Sequence, residues 1–199
     1  MKQRTIELKA AWNRRPRVIV IGLGNYILAD EGVGIHAVHS FQRIIPRPCL
    51  ALEIGTKISE SIHLIENTDR ILAFTAIEAG GRPGSIYALR AEHLMTAGHG
   101  SDLQELDFIK VLRNLRKPPS EVIIIGAEPL TIEWGVELSP ILEGVVPVMV
   151  VAAEKIIHEW NSSPSVFRPI DLVSILGDSK HAIQFRTSDT RERILSNAG

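Results

Sequence analysis

The feature that most constrains this chain is an apolar, β-branched run that stops on glycine. Val18-Ile19-Val20-Ile21 is closed by Gly22-Leu23-Gly24-Asn25, and such a run reads as a buried strand. A short connection then delivers Asp30-Glu31-Gly32 to a segment with helical apolar spacing, Val33, Ala37, Val38 and Phe41. Asp30 stands where a helix N-cap is expected, and acids are favoured in a first helical turn. Strand, tight turn and helix start together hold a carboxylate at the strand's C-terminal edge. In open α/β sheets that edge is where ligands bind.

The same alternation continues along the chain. A helix is expected from about Glu31 to Ile44, stopped by Pro46 and Pro48. Cys49–Ile54 reads as a second strand, with Ile58, Ile62, Leu64 and Ile65 as the apolar set of the helix after it. Ile71–Ile77 is nearly all apolar, which suits a central strand. Gly80-Gly81-Arg82-Pro83-Gly84 is turn chemistry, followed by a short strand at Ser85–Leu89 that is expected to lie antiparallel at or near an edge. A helix over Asp102–Leu115, a buried strand at Glu121–Ala127 and a long helix from about Leu138 to Trp160, interrupted by Pro147, complete the series. Strands alternating with helices predict an α/β fold, a three-layer α/β/α sandwich with a mostly parallel sheet. Residues 1–16 form a polar N-terminal arm, 17–160 the domain, and 161–199 a mixed, polar C-terminal tail.

Length and charge narrow the function classes. A chain of 199 residues suits one domain with a sizeable core, and a net charge of -1 gives no electrostatic case for nucleic acid or an anionic membrane. No apolar run approaches the roughly 20 residues of a membrane span, and the first residues lack a signal-peptide core. The single cysteine, Cys49, excludes an intrachain disulfide and is compatible with a cytoplasmic location. Its predicted strand offers no basic partner, so it reads as a small buried hydrophobe.

Gly22-Leu23-Gly24 invites a nucleotide-binding, Rossmann-like reading, but the third glycine of that pattern is replaced by Ile27. No G-x-S-x-G elbow is present. The histidines form neither HxxxH nor HExxH spacing, and His36 and His39 read as structural. His99 stands apart, in the small-residue loop Ala97-Gly98-His99-Gly100-Ser101 that could turn an imidazole into a cleft.

Several blocks in fixed order resemble the hydrogenase maturation proteases, endopeptidases that trim the C-terminal extension of the nickel–iron hydrogenase large-subunit precursor. Val20-Ile21-Gly22-Leu23-Gly24-Asn25 with Asp30-Glu31-Gly32-Val33-Gly34 is similar to the family's opening signature. Glu53-Ile54-Gly55-Thr56 sits at its Asp-Gly-Gly-Thr-like turn. Thr75-Ala76-Ile77 with Pro83-Gly84-Ser85 matches its next block, and Gly98-His99 through Leu103 its histidine block. Ile125-Gly126-Ala127-Glu128-Pro129 and Leu138-Ser139-Pro140 match its last strand and final helix start.

The resemblance implies a cytoplasmic, nickel-dependent endopeptidase whose partner is the hydrogenase large-subunit precursor. Nickel would be recognised mainly in that substrate, with neither nucleic acid nor membrane as partner. Carried over, the family's acid is Glu31 and its histidine is His99, both as metal ligands and catalytic groups. Its aspartate position falls on Thr75, a neutral hydroxyl and a poor ligand beside a carboxylate. Glu78 is then the candidate replacement carboxylate, and Glu53, Gly55 and Thr56 the candidate substrate-binding turn. Two alternatives stand beside this reading: a non-proteolytic relative that binds a precursor or metallocentre, motivated by Thr75, and the nucleotide-binding domain.

Overall fold

The structure, a computed structural model, describes residues 18–44, 49–66, 68–91 and 103–162. His99 with its loop, the N-terminal arm and the tail beyond Ser162 lie outside the described residues. Five strands form one sheet: β1 (Val18–Leu23), β2 (Cys49–Gly55), β3 (Arg70–Ala76), β4 (Ile86–Arg90) and β5 (Glu121–Ala127), in the order β2-β1-β3-β5-β4. β1 pairs in parallel with β2 and β3, and β3 with β5, while β4 runs antiparallel along β5 at the edge. Among the described residues the helices are α1 (Val33–Phe41), α2 (Ile62–Ile65), α3 (Leu103–Arg113) and α4 (Pro140–Ser162).

Strand alternation divides the core into two layers. Val18, Val20, Leu72, Phe74, Ile123 and Ile125 point to the face covered by α1 and α4, where they meet Phe41, Val145, Met149 and Ile156. Ile19, Ile21, Ile71, Ala73 and Ile124 point to the opposite face, against Ile65 of α2 and Phe108 and Leu112 of α3. Each large aliphatic or aromatic side chain so buried contributes about 1.5–3 kcal/mol. The continuous apolar composition of β1, β3 and β5 follows from being covered on both sides.

The first helix begins differently from expectation. Ala29–Gly32 is a turn of 3-10 helix, and α1 proper runs only from Val33 to Phe41. Pro147 lies within α4, on its exposed side, and the helix continues through it. Proline has no N–H to donate to the Glu143 carbonyl, and Glu143, Gly144 and Pro147 all lie on the exposed side of the helix. The far end of α4 is fastened at the N-terminal end of the sheet. There Trp160 Nε1 donates to Glu121 Oε2 at 2.9 Å, Arg70 Nη1 donates to the Trp160 carbonyl at 2.7 Å, and Arg90 Nη2 stands 3.3 Å from Glu121 Oε1.

Two strands matter most for function. β1 leads into α1 on one face, and β3 leads by way of β4 into α3 on the other. The crevice beyond their C-terminal ends is the switch point of the sheet, the usual ligand position in such folds.

Candidate active site

Glu31 is delivered to the switch point by a tightly constrained backbone. Gly24 closes β1 with φ at 121°, and a Cβ there would stand 2.0 Å from the Glu31 carbonyl oxygen. Gly34 is equally tight, since an added Cβ would meet the carbonyl oxygens of Leu23 at 2.2 Å and Phe74 at 2.3 Å. The glycines of the opening signature therefore let α1 and its 3-10 turn lie directly on the strand ends. Their presence is explained by chain packing on chain, and a nucleotide is not required to account for them.

Asp30 does not cap its own helix, contrary to the expectation from sequence; Ala29–Gly32 has no side-chain cap. Its carboxylate is fully buried and accepts four hydrogen bonds from the far side of the chain. Leu130 N at 2.9 Å, Thr131 N at 3.2 Å and Ser139 Oγ at 2.8 Å donate to Oδ2, and Ser139 N donates to Oδ1 at 2.7 Å. Ser139 Oγ lies 3.4 Å from Leu142 N in the first turn of α4, so the seryl cap and Asp30 share one hydroxyl. The two loops are also laced along the backbone: Ala29 N donates to Gly135 O at 2.8 Å and Gly135 N to Ile27 O at 3.1 Å. Ala29 is held in the left-handed region, φ 46°, alone among the described non-glycine residues. Such strain persists where surrounding contacts over-determine it.

A second buried carboxylate performs the same service beyond β3. Glu128 accepts from Ala79 N at 3.0 Å, Gly80 N at 3.1 Å and the Tyr87 hydroxyl at 2.6 Å. It fixes the turn directly after Glu78, which is exposed just past the end of β3. Burial, and secondarily the hydrogen bond and charge of Glu128, push the Tyr87 phenol above its ordinary value of 10.0.

The other sequence-predicted residues distribute as follows. Glu31 is half-buried and Glu78 exposed, each in the segment that follows one of the two strands at the switch point. Thr75 is in β3, 1% exposed, paired in register with Gly126, and its Oγ1 has no hydrogen-bond partner. By alternation it shares the sheet face of Ile71 and Ala73. Glu53 lies within the edge strand β2, on its exposed side, and Oε2 accepts from His39 Nε2 at 2.6 Å. Gly55 ends that strand at φ 58°, and Thr56 is exposed beyond it. His36 stacks on Tyr26, with ring centroids 5.2 Å apart, and its Nε2 lies 3.2 Å from the Val136 carbonyl. Among the described residues no group of three or more His, Cys, Asp and Glu is arranged to hold a metal ion. His99 lies outside the described residues, so its expected convergence with Glu31 and Thr75 does too.

Sequence reasoning missed the clamping roles of Asp30 and Glu128. For Glu128 a signal existed: one carboxylate closes the strand Glu121–Ala127, whose interior is entirely apolar or glycine. Nothing in a single sequence links Asp30 to Ser139.

The fold is an open, mostly parallel α/β sheet whose switch-point loops are clamped by a buried carboxylate. A family model described as hydrogenase maturation protease matches residues 35–156, and the chain belongs to that family. It is 30% identical over 157 residues to the hydrogenase expression/formation protein HupD of Bradyrhizobium diazoefficiens, covering 75% of this chain and 82% of that one. It is 26% identical over 137 residues to the hydrogenase 2 maturation protease of Escherichia coli, covering 65% of this chain and 84% of that one. Among solved structures, the hydrogenase maturating endopeptidase HybD from E. coli superposes with a TM-score of 0.65 at 25% identity, over 74% of this chain and 94% of that one. The expected α/β fold with a mostly parallel sheet is therefore correct.

Proposed function

We propose that this chain is the endopeptidase that removes the C-terminal extension of a nickel–iron hydrogenase large-subunit precursor after nickel insertion. The single observation that carries the proposal is family membership over residues 35–156, with Glu31 in the 3-10 turn just ahead of them. Nickel belongs to the substrate in this reading. Bound there, it would polarise the scissile region, as a Lewis acid does. Glu31 accepts a proton from the attacking water, and His99 is the second catalytic group and nitrogen ligand. Glu78 supplies the second carboxylate in place of the family aspartate, since carboxylate and imidazole both suit nickel. Glu53, Gly55 and Thr56, at the end of the strand beside β1, would contact the substrate chain. The active domain is 17–160, and the reaction is cytoplasmic; no helix among the described residues is long and apolar enough to cross a membrane.

The test is a gel-shift cleavage assay on purified nickel-loaded precursor. Wild type shortens it, Glu31→Gln does not, and nickel-free precursor is processed more slowly. Equal processing of nickel-free and nickel-loaded precursor would refute the nickel requirement.

One observation favours a second reading, a non-proteolytic relative that binds precursor or metallocentre: Thr75, which the resemblance puts at the family's aspartate position, offers only a buried, unpartnered hydroxyl. If Glu78 has taken over, Glu78→Gln slows cleavage about as much as Glu31→Gln. If activity has been lost, Thr75→Asp raises nickel affinity in calorimetry, while wild type leaves the precursor intact.

A further inference from the structure

The loops clamped by Asp30 carry an exposed apolar surface that the chemistry of cleavage does not use. Tyr26 and Ile27 are 41% and 45% exposed, and across the bridge Leu130, Ile132, Trp134 and Val136 are 51%, 45%, 82% and 47% exposed. They belong to one surface. Gly135 pairs with Leu28, its backbone bonds reach Ile27 and Ala29, and Val136 O meets the His36 ring that stacks on Tyr26. An indole so exposed, on backbone fastened by the Gly135 bonds, is a candidate contact surface, since the largest apolar patch on a monomer is often functional. These loops are hydrogen-bonded to each other without a partner, which lowers a usual cost of association.

The two segments that carry the patch are charged with one sign. Residues 25–33 and 128–144 contain no lysine or arginine. Their exposed acids are Glu133, Glu137 and Glu143, with half-buried Glu31 on the same turn as the clamp. A second copy of this chain would bring acid against acid, so self-pairing through the patch is disfavoured.

We infer that this surface, centred on Trp134 and Ile132, docks the folded part of the precursor through an apolar surface rimmed by basic residues. Ile27 at the edge of the patch lies four residues before Glu31 in the same loop, so a partner held there presents an adjoining segment near the switch point. This rests on the endopeptidase reading for the identity of the partner.

The experiment measures binding separately from cleavage. Full-length protein carrying Glu31→Gln, to arrest turnover, is titrated against purified nickel-loaded large-subunit precursor by biolayer interferometry. Adding Trp134→Ser with Ile132→Ser is expected to raise Kd at least tenfold, as loss of a central aromatic anchor does. Glu133→Lys with Glu137→Lys is expected to weaken binding and flatten its dependence on salt. Melting temperatures close to the parent's confirm that each variant is folded. A Kd within twofold of the parent for the Trp134/Ile132 variant overturns the inference, as does absence of measurable binding by the parent. A parent that sediments as a dimer and becomes monomeric on Trp134→Ser also overturns it, because the patch then pairs copies. Cleavage by wild type is scored in parallel on the same precursor. Patch-dependent binding without cleavage removes the endopeptidase reading and leaves docking in place; cleavage with patch-independent binding removes docking alone.

Discussion

Replacing Asp30 by asparagine is the sharpest probe of the site's scaffold, because the geometry leaves the amide no good orientation. With its oxygen in the Oδ2 position, asparagine keeps Leu130 N, Thr131 N and Ser139 Oγ but turns its NH2 toward Ser139 N, 2.7 Å from the present Oδ1. Flipped, it keeps Ser139 N and sets NH2 against two amides, at 2.9 and 3.2 Å. Either way at least one donor faces a donor in a fully buried place. A hydrogen bond to a charged group contributes about 1.5–3 kcal/mol, and a buried unsatisfied donor costs about 1–3 kcal/mol. Asp30→Asn should therefore destabilise by about 3 kcal/mol, a large share of the roughly 5–15 kcal/mol that holds a domain together. Urea denaturation gives the magnitude. Hydrogen exchange gives the location: the amides of Leu130, Thr131 and Ser139 should lose protection together, ahead of those of β3. Asp30→Asn within about 0.5 kcal/mol of wild type, a difference typical of neutral surface changes, with those amides still protected, would refute the reasoning.

Gly24→Ala places a Cβ 2.0 Å from the Glu31 carbonyl oxygen at a φ of 121°; it should displace Glu31 and reduce precursor cleavage more than tenfold, read in the gel-shift assay. Tyr87→Phe removes the 2.6 Å hydrogen bond to Glu128 and should cost about 1–2 kcal/mol in urea denaturation, since the two amide donors remain. The raised Tyr87 phenol makes the folded state hold its proton more tightly than the unfolded chain. Its stabilising contribution should thus be complete below the ordinary phenol value of 10.0 and fall as pH rises beyond it, with Tyr87→Phe flattening that alkaline limb in thermal melts. Burial pushes the Cys49 thiol up to about 12, so alkylation by iodoacetamide at pH 8 should be far slower than for a free thiol, measured by mass spectrometry.

What was legible in the sequence followed local rules. β1, β3 and β5 were readable because strands covered on both faces are apolar throughout, and the antiparallel edge position of β4 because glycine and proline leave room for a turn before it. The strand, glycine turn and helical segment that carry Glu31 were readable because they occur in order within one short stretch. The clamp was not. The pattern favoured Asp30 as a cap because an acid before a helix normally bonds to that helix's own amides. Here those bonds go to Leu130, Thr131 and Ser139, and a tertiary partner outweighs the local one. Glu53 was read within the strand Cys49–Ile54, and β2 indeed holds it but runs one residue further, to Gly55, because pairing with β1 extends to Leu23 opposite Gly55. Trp134 was overlooked for the opposite reason: a loop tryptophan carries no periodic signal, and only its 82% exposure on a fastened backbone marks it.

The reach of the Asp30 carboxylate also bears on the order of assembly. Its donors lie 100, 101 and 109 residues further along the chain, among the most non-local contacts of the fold. Such contacts close late, after nearer pairings have shortened the loops between their ends. A growing chain that has emerged only through β3 already holds the Gly24 and Gly34 contacts beside Glu31, but the Asp30 clamp is still open. The clamp is completed only when Ser139 and the first turn of α4 arrive. A polypeptide ending before residue 139 would accordingly lack the donors that close the Asp30 clamp beside Glu31.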